Sequence, residues 1–268
     1  TREVGSRAGV AVAGDECAQL ADADWPKRDF SHEATPVLST KTRAFAAAVD
    51  GHGGQAASRH AASTLPALME ARASLAPDAA LRGAWLRCVE ELELEGPGGA
   101  VAAAACADLD AQTLALLHCG DARAVVVRRG AADAYFATFD HTLRLAAERA
   151  ALENRGGESR GGRVIADKWA VAVPRALGGT TWRAAGISAA PDVVSLNLAD
   201  ADACVLASDG VWDVLSSDDA AALVRANRVF RPERSPSEIA KAVADRAVAL
   251  GSTDDVSVAL MLFERDEG

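Results

Sequence analysis

The sequence predicts an α+β domain built on antiparallel sheets. Strand-like runs dominate the middle of the chain, and the helix-like segments fall in two groups on either side of them. Half of the residues are apolar and a quarter are charged, which is typical of a globular protein with an ample core. Because domains of mixed architecture often exceed about two hundred residues, we expect a single domain covering residues 1–268.

The first group of helices follows the segment DGHGG. Residues 55–76 place apolar side chains three and four positions apart and contain no glycine, which predicts a helix. We expect a second helix over 78–95, ended by Pro97 and the glycines around it. The segments AVAAAACADL and TLALLHC are strand-like, and they predict a hairpin with its turn at 108–112.

The second half of the chain alternates between strand-like and helix-like segments. Strands are predicted at 122–130, 169–173, 193–198, 203–208 and 255–263. Helices are predicted at 143–154, 216–226 and 235–250, the last two beginning at serines that can cap a helix. The glycine-rich segment 154–168 is predicted to be a loop.

Charge and composition exclude several classes of function. A net charge of −10 argues against a nucleic-acid-binding protein, which needs a basic face to neutralise phosphates. The sequence contains no run of about 18 apolar residues that would predict a membrane span, and its first residues do not resemble a signal peptide. The five scattered cysteines indicate reduced, mostly buried thiols. We therefore expect an intracellular protein, cytoplasmic or nuclear, that is a monomer and contacts no nucleic acid or membrane.

Three aspartates occupy similar positions beside predicted strands. Asp50 ends AFAAAVD, Asp209 ends ACVLASD, and Asp254 precedes DVSVALMLF. A strand that ends in a carboxylate, followed by a glycine that allows a sharp turn, can bring hard oxygen ligands to one edge of a fold. Mg²⁺ and Mn²⁺ prefer such ligands, and no zinc-like spacing of cysteine and histidine is present. The alternative is that each aspartate only caps a turn.

Six segments in a fixed order favour the metal site. They resemble the signature segments of the type 2C serine/threonine phosphatases, a metal-dependent protein phosphatase family: VDGHGG at 49–54, GDARAV at 120–125, FDHTL at 139–143, RALGG at 175–179, ASDGVWDVLS at 207–216 and GSTDDVSV at 251–258. The resemblance implies a four-layer αββα sandwich, in which two antiparallel sheets are flanked by helices. It also implies two Mg²⁺ or Mn²⁺ ions between the sheets, with a weaker third ion in some relatives.

The resemblance assigns roles to individual residues. Asp50 matches the carboxylate that bridges two metals, the Gly51 carbonyl matches a ligand of one of them, and Asp209 and Asp254 match the remaining carboxylates. In the family a hydroxide bridging the cations attacks phosphorus in phosphoserine or phosphothreonine. His52 matches the histidine proposed to protonate the leaving alkoxide, a role that suits a near-neutral pKa. The alternative for His52 is a loop imidazole without a function.

Two further acids have weaker matches. Asp140 in FDHTL and Asp213 in DGVWD match ligands of the third metal, although both are equally compatible with hydrogen-bonding or solvated turn residues. Asp121 and Arg123 are expected to hold the hairpin and the metal-side loop in place and not to contact substrate. We expect Trp169 to be a core residue.

The first strand departs from the family pattern. If Gly9 is the matching glycine, Ala11 stands where the family has the arginine that binds the substrate phosphate. The acidic pair that follows is reversed as Asp15 and Glu16, and Glu16 is the metal-site acid that we assign there. Alanine cannot make the bidentate contact of a guanidinium, so its presence predicts reduced activity. Arg7 lies nearby and is one candidate replacement.

The segment 154–168 lies where the family has a flap beside the active site. Its arginines could contact substrate, and Arg160 is the one that we assign with Arg7 to substrate binding. The main hypothesis is a phosphatase that acts on phosphoserine and phosphothreonine proteins. The alternatives are a pseudophosphatase, which binds partners with weak or no turnover because of Ala11, and a small-molecule phosphohydrolase.

Overall fold

The computed structural model describes residues 8–13, 32–34, 37–39, 42–166 and 168–263. In chain order, the strands are β1 (Ala8–Ala13), β2 (His32–Ala34), β3 (Val37–Ser39), β4 (Arg43–His52), β5 (Gly99–Asp108), β6 (Thr113–Cys119), β7 (Arg123–Arg128), β8 (Ala134–Ala137), β9 (Glu158–Arg160), β10 (Arg163–Ala166), β11 (Trp169–Val171), β12 (Leu177–Gly178), β13 (Asp192–Asn197), β14 (Ala201–Ala207) and β15 (Val258–Phe263). The helices are α1 (Ala56–Glu70), α2 (Pro77–Glu91), α3 (Ala146–Asn154), α4 (Thr180–Ala184), α5 (Asp209–Trp212), α6 (Ser217–Phe230) and α7 (Pro236–Ala249).

Two antiparallel sheets form the centre of the fold. The first has the strand order β1-β15-β14-β7-β8, and the second has the order β13-β6-β5-β4-β2, with β3 beside β4 and β12 beside β5. Strands β9, β10 and β11 form a separate small sheet. One apolar cluster lies between the two large sheets and takes side chains from both of them.

Helices cover the outer face of each sheet. α1 and α2 pack on the second sheet over a cluster that includes Phe45 and Trp85. α6 and α7 pack on the first sheet over a cluster that includes Val224 and Ile239. The order of layers is therefore helix, sheet, sheet, helix, and the predicted αββα class is confirmed.

The alanine-rich strand β4 illustrates how the layers form. Ala44, Ala46 and Ala48 point into the core between the sheets, whereas Phe45 and Val49 point toward α1 and α2. Because successive side chains of a strand alternate between faces, a run that is apolar at every position is buried on both sides. The same pattern explains the apolar run of β5.

Turns and caps were predicted well where side chains determine them. The β5–β6 hairpin turns at Asp108, whose Oδ1 accepts a hydrogen bond from the Ala111 N–H at 2.9 Å. α7 begins with a capping box between Ser235 and Glu238, with a proline in its first turn. Cys88, Cys106, Cys119 and Cys204 are free and buried, and Cys17 lies outside the described residues.

Helix ends differ from the sequence prediction. α1 ends at Glu70. From Arg72 onward the amides bond three residues back (Arg72 N–H to Met69 O, 3.1 Å), and the residue before Pro77 is extended. α2 ends at Glu91, before the predicted position 95, and α3 begins at Ala146, after the predicted position 143. Strand β8 and helix α4 were not predicted.

The segment 154–168 is the largest correction to the secondary structure. It was predicted to be a loop, but it contains β9 and β10, which pair as an antiparallel hairpin. Gly161 and Gly162, two of the four glycines that suggested a loop, form the tight turn of this hairpin. In the part of the chain that the structure describes, no helix is long and apolar enough to span a bilayer.

Candidate metal centre

A cleft of about 380 Å³ opens at one edge of the two sheets. It lies where β4 approaches its end and where the segments after β14 and before β15 meet. Its lining includes the carboxylates of Asp50, Asp121, Asp209 and Asp254. The three aspartates that the sequence singled out are therefore brought to one cleft, together with a fourth.

Asp50 and Gly51 lie within β4 and not at its end. The strand continues to His52, so the predicted end at Asp50 is corrected by two residues, and the chain turns at Gly53. Gly53 has a φ of +67°, and a Cβ there would lie 2.4 Å from the Pro97 carbonyl oxygen. A glycine is therefore required at this turn beside the cleft.

Two serines bring Asp209 and Asp254 together. The Ser208 N–H donates to the Ser257 carbonyl at 3.2 Å, and the Ser257 N–H donates to Ser208 Oγ at 3.1 Å. Gly210 completes the contact, since a Cβ there would lie 2.1 Å from the Asp255 carbonyl oxygen. The DG pair of the ASDG segment is thus explained by close packing of two backbones. Asp209 itself is the first residue of α5.

Asp209 is buried in a strongly acidic environment. Burial, followed by repulsion from Asp254 and Asp213, raises the pKa of Asp209 to about 6. Its Oδ1 is buried and has no hydrogen-bond partner among the described residues. Buried polar atoms without partners are rare, and such an atom beside other carboxylates fits a cation.

Asp121 was expected to hold the hairpin and the metal-side loop in place, and it was not among the predicted metal ligands. It lines the cleft, and burial together with repulsion from Asp209 raises its pKa well above the usual range for aspartate. The adjoining Gly120 is fixed by His141, whose N–H donates to the Gly120 carbonyl at 2.8 Å and whose Nδ1 accepts from the Gly120 N–H at 3.1 Å. Nothing in the sequence around Asp121, which follows the turn at Gly120, indicated that its side chain would lie in the cleft.

His52 also lines the cleft. Its ring lies edge-on to Trp182 with centroids 5.8 Å apart, and a Cβ on Gly99 would come within 2.4 Å of the ring. Both ring nitrogens are buried without hydrogen-bond partners among the described residues. Burial lowers the pKa of His52 to about 4, so the expected near-neutral pKa is wrong for this state. The imidazole is neutral at pH 7.

Asp140 and Asp213 lie near the cleft but do not line it. Both carboxylate oxygens of Asp140 accept hydrogen bonds from Arg123, at 2.9 and 2.6 Å. This ion pair favours the structural interpretation of Asp140 over a third metal ligand. Asp213 is exposed at the end of α5 and acts on Asp209 through its charge.

The arginines of the β9–β10 hairpin differ in position. Arg163 lines the cleft, whereas Arg160, which the sequence analysis chose, does not. Arg155 is engaged elsewhere, because its Nε donates to the Gly186 carbonyl at 2.6 Å. Arg7 and Glu16 lie outside the described residues. Trp169, expected in the core, is half-buried and also lines the cleft.

A second group of possible metal ligands lies outside the cleft. His118, His141 and Asp192 bring one ligand atom each within 4.8 Å of one another. However, Nδ1 of His141 already accepts a hydrogen bond, so Nε2 holds the proton and donates it to Asp192 Oδ2 at 3.1 Å. A metal at Nε2 would require an imidazolate. Arg175 also donates to Asp192, which makes this group a hydrogen-bonded network.

Sequence comparison identifies relatives of this chain. Residues 17–256 match the family described as Protein phosphatase 2C. The chain is 34% identical over 239 residues to a mouse protein named probable protein phosphatase 1N, covering 82% of this chain and 57% of the mouse protein. It is 30% identical over 234 residues to rice probable protein phosphatase 2C 32, covering 83% of this chain and 58% of the rice protein. The chain thus spans little more than half the length of these relatives.

Solved structures share the fold. A serine-threonine phosphatase 2C from Toxoplasma gondii superimposes with a TM-score of 0.72 at 17% identity, covering 98% of this chain and 96% of the other. A sex-determining protein of C. elegans gives a TM-score of 0.76 at 21% identity, covering 98% of this chain and 66% of the other. At this level of identity, the likeness extends to the fold alone.

Proposed function

The chain belongs to the protein phosphatase 2C family, and we propose that it removes phosphate from phosphoserine and phosphothreonine in proteins. The proposal is that Asp50, Asp209 and Asp254 hold two Mg²⁺ or Mn²⁺ ions, with the Gly51 carbonyl as a further ligand. We also propose that its substrates are intracellular phosphoproteins.

One observation supports this proposal most strongly. The Asp209 Oδ1 is buried without a partner among the described residues, in a cleft that it shares with Asp50, Asp121 and Asp254. Asp209 and Asp254 repel each other in this cleft, as do Asp209 and Asp121, and a divalent cation with oxygen ligands removes that repulsion. Bound cations would lower the pKa of a coordinated water and offset charge on the phosphoryl oxygens.

His52 can act as a general acid only if substrate binding first protonates its ring. With a pKa of about 4 the imidazole is neutral at pH 7 and lacks the acidic imidazolium proton that a general acid donates. A phosphate dianion bound beside the ring favours the charged imidazolium, because opposite charges stabilise each other at short range. His52 would then donate that proton from a ring nitrogen to the departing serine or threonine oxygen.

The pseudophosphatase alternative depends on Ala11. The backbone of Ala11 pairs with Leu260 in the first sheet. If it occupies the position of the phosphate-binding arginine, the chain binds phosphate less tightly unless another cation replaces it. A binding protein of this kind would keep the fold and the acidic cleft while turning over slowly or not at all.

The test is phosphate release from a phosphothreonine peptide with Mn²⁺ and, in parallel, with a chelator. We expect metal-dependent release that Asp209→Asn reduces by at least about 100-fold, because the variant loses a charged metal ligand. Asp202→Asn is the control, since Asp202 pairs with Arg225 and Arg228 away from the cleft. Release that is unaffected by Asp209→Asn or by the chelator would refute the proposal. Folded protein that binds Mn²⁺ without any release would favour the pseudophosphatase.

A further inference from the structure

The turn of the β9–β10 hairpin presents two arginines. Arg160 and Arg163 are directly paired across it, and Gly161 and Gly162 between them have φ values of +58° and +77°. Two positive φ values in a two-residue loop are the requirement of a type I′ turn. Because directly paired residues lie on the same face of a hairpin, the two guanidinium groups share one face.

Neither arginine has a counter-ion among the residues that the structure describes. In the described part of the chain, no hydrogen bond or ion pair involves the side chain of Arg160 or Arg163. Like charges paired directly across a hairpin destabilise it. An anion between or beside them would remove this cost, so the arrangement is suited to binding one.

Among the described residues that line the cleft, Arg163 is the arginine, and no lysine lies there. Other arginines near this end of the molecule are engaged: Arg123 pairs with Asp140, and Arg175 pairs with Glu148 and Asp192. Arg163 forms no ion pair with the four carboxylates of the cleft. It is therefore available to a ligand of the cleft.

A phosphoryl group is the ligand that these features fit. The planar guanidinium matches two oxygens of a phosphate, and the interaction is roughly twice as strong as a neutral hydrogen bond. We propose that Arg163 binds the phosphoryl group of the substrate. It thereby takes the role of the phosphate-binding arginine whose position in the family pattern is occupied by Ala11, and Arg160 adds a weaker, longer-range attraction. This inference rests on the proposed function, because it concerns the substrate of the same cleft.

The direct experiment is calorimetric titration of the Mn²⁺-loaded protein with inorganic phosphate. We expect Arg163→Ala to weaken phosphate binding about 10- to 100-fold, Arg163→Lys to fall between that variant and wild type, and Arg160→Ala to weaken it less than about 5-fold. Arg231→Ala is the control for net charge, because Arg231 is exposed at the end of α6 and does not line the cleft. Its phosphate affinity should stay within about 2-fold of wild type.

Hydrolysis adds a second readout. If Arg163 contacts the phosphoryl group, Arg163→Ala raises KM by a similar factor for p-nitrophenyl phosphate and for a phosphothreonine peptide, while Mn²⁺ affinity without phosphate changes little. An effect confined to the peptide, or equal phosphate binding by Arg163→Ala and wild type, would overturn the inference. The same is true if wild type binds no phosphate.

The binding measurement also separates this inference from the proposed function. A wild type that binds phosphate through Arg163 but releases none from any substrate would contradict the phosphatase and leave the anion site established. Metal-dependent hydrolysis that is insensitive to Arg163→Ala would support the phosphatase and refute the role of Arg163.

Discussion

Arg123 donates to both carboxylate oxygens of Asp140, from Nε at 2.9 Å and from Nη2 at 2.6 Å. The guanidinium also lies over the Trp212 ring, 5.2 Å from its centroid. These contacts tie the start of β7 to the segment after β8. Together with the bonds between His141 and Gly120, they hold the turn that places Asp121 in the cleft.

Loss of this ion pair should reduce stability. Arg123 and Asp140 have side chains that are 21% exposed, so Arg123→Ala leaves a poorly hydrated carboxylate and should cost about 1.5–3 kcal/mol. Arg128→Ala is the matched control on the same strand, because its pair with Asp133 is 46% and 50% exposed and solvent screening should make its contribution much smaller. Urea unfolding measures both changes. Equal losses in the two variants would contradict the structural role of the pair.

Metal affinity should depend on pH through Asp209. Its pKa of about 6 in the metal-free protein lies above the ordinary 3.8, so the folded state holds a proton that the unfolded state loses between these values. The contribution of the Asp209 carboxyl to the free energy of unfolding is therefore fully present below about pH 4 and is lost as the pH rises through 6. Mn²⁺ must displace the proton, so affinity should fall about 10-fold per pH unit below 6.

Calorimetry at about pH 7 and pH 5 measures this dependence. We expect weaker Mn²⁺ binding and greater proton release at the lower pH. Asp209→Asn should bind weakly with a flatter pH profile. Wild-type affinity that is the same at both values would contradict the raised pKa.

His52 should remain neutral across the physiological range in the metal-free protein. Burial lowers its pKa to about 4, so its contribution to stability is complete above the unfolded value of 6.5 and is lost as the pH falls toward 4. The Cε1 proton resonance should change little between about pH 7.5 and 5.5, and His52→Gln identifies it by its disappearance. A titration midpoint near 6.5 would show that the ring is hydrated.

Gly210 should be required for both stability and metal binding. A Cβ there meets the Asp255 carbonyl oxygen at 2.1 Å, so Gly210→Ala must separate the segments that hold Asp209 and Asp254. We expect a loss of about 1–3 kcal/mol together with weaker Mn²⁺ binding. Gly83→Ala in α2 is the control, because its Cβ meets only the flexible Arg72 side chain and alanine favours a helix. A tolerated Gly210→Ala would refute the packing argument.

The sequence predicted the fold and the meeting of three aspartates because their surroundings are local. Strand β4 is apolar from Ala44 to Val49, and Gly53 and Gly210 stand where a Cβ would collide with a neighbouring backbone carbonyl. Ordered motifs then placed these segments in a known architecture. The motifs were therefore enough to group Asp50, Asp209 and Asp254, and the directions of their side chains did not have to be known.

Residues whose roles depend on register could not be assigned in this way. Arg160 and Arg163 are separated by two glycines, and only the pairing of β9 with β10 and the position of that hairpin decide which one reaches the cleft. Asp121 and Asp140 were assigned by motif, but the partner of each depends on contacts between distant segments. The pKa of His52 depends on the burial of its ring, which the motif does not encode.

The central claim is that the cleft carboxylates, and not the His118, His141 and Asp192 network, bind the divalent cations. Calorimetric titration of Mn²⁺ into wild type, Asp209→Asn and Asp192→Asn tests this claim most directly. We predict two bound ions in wild type, loss of at least one in Asp209→Asn, and unchanged binding in Asp192→Asn. Binding that survives Asp209→Asn and disappears in Asp192→Asn would contradict the account.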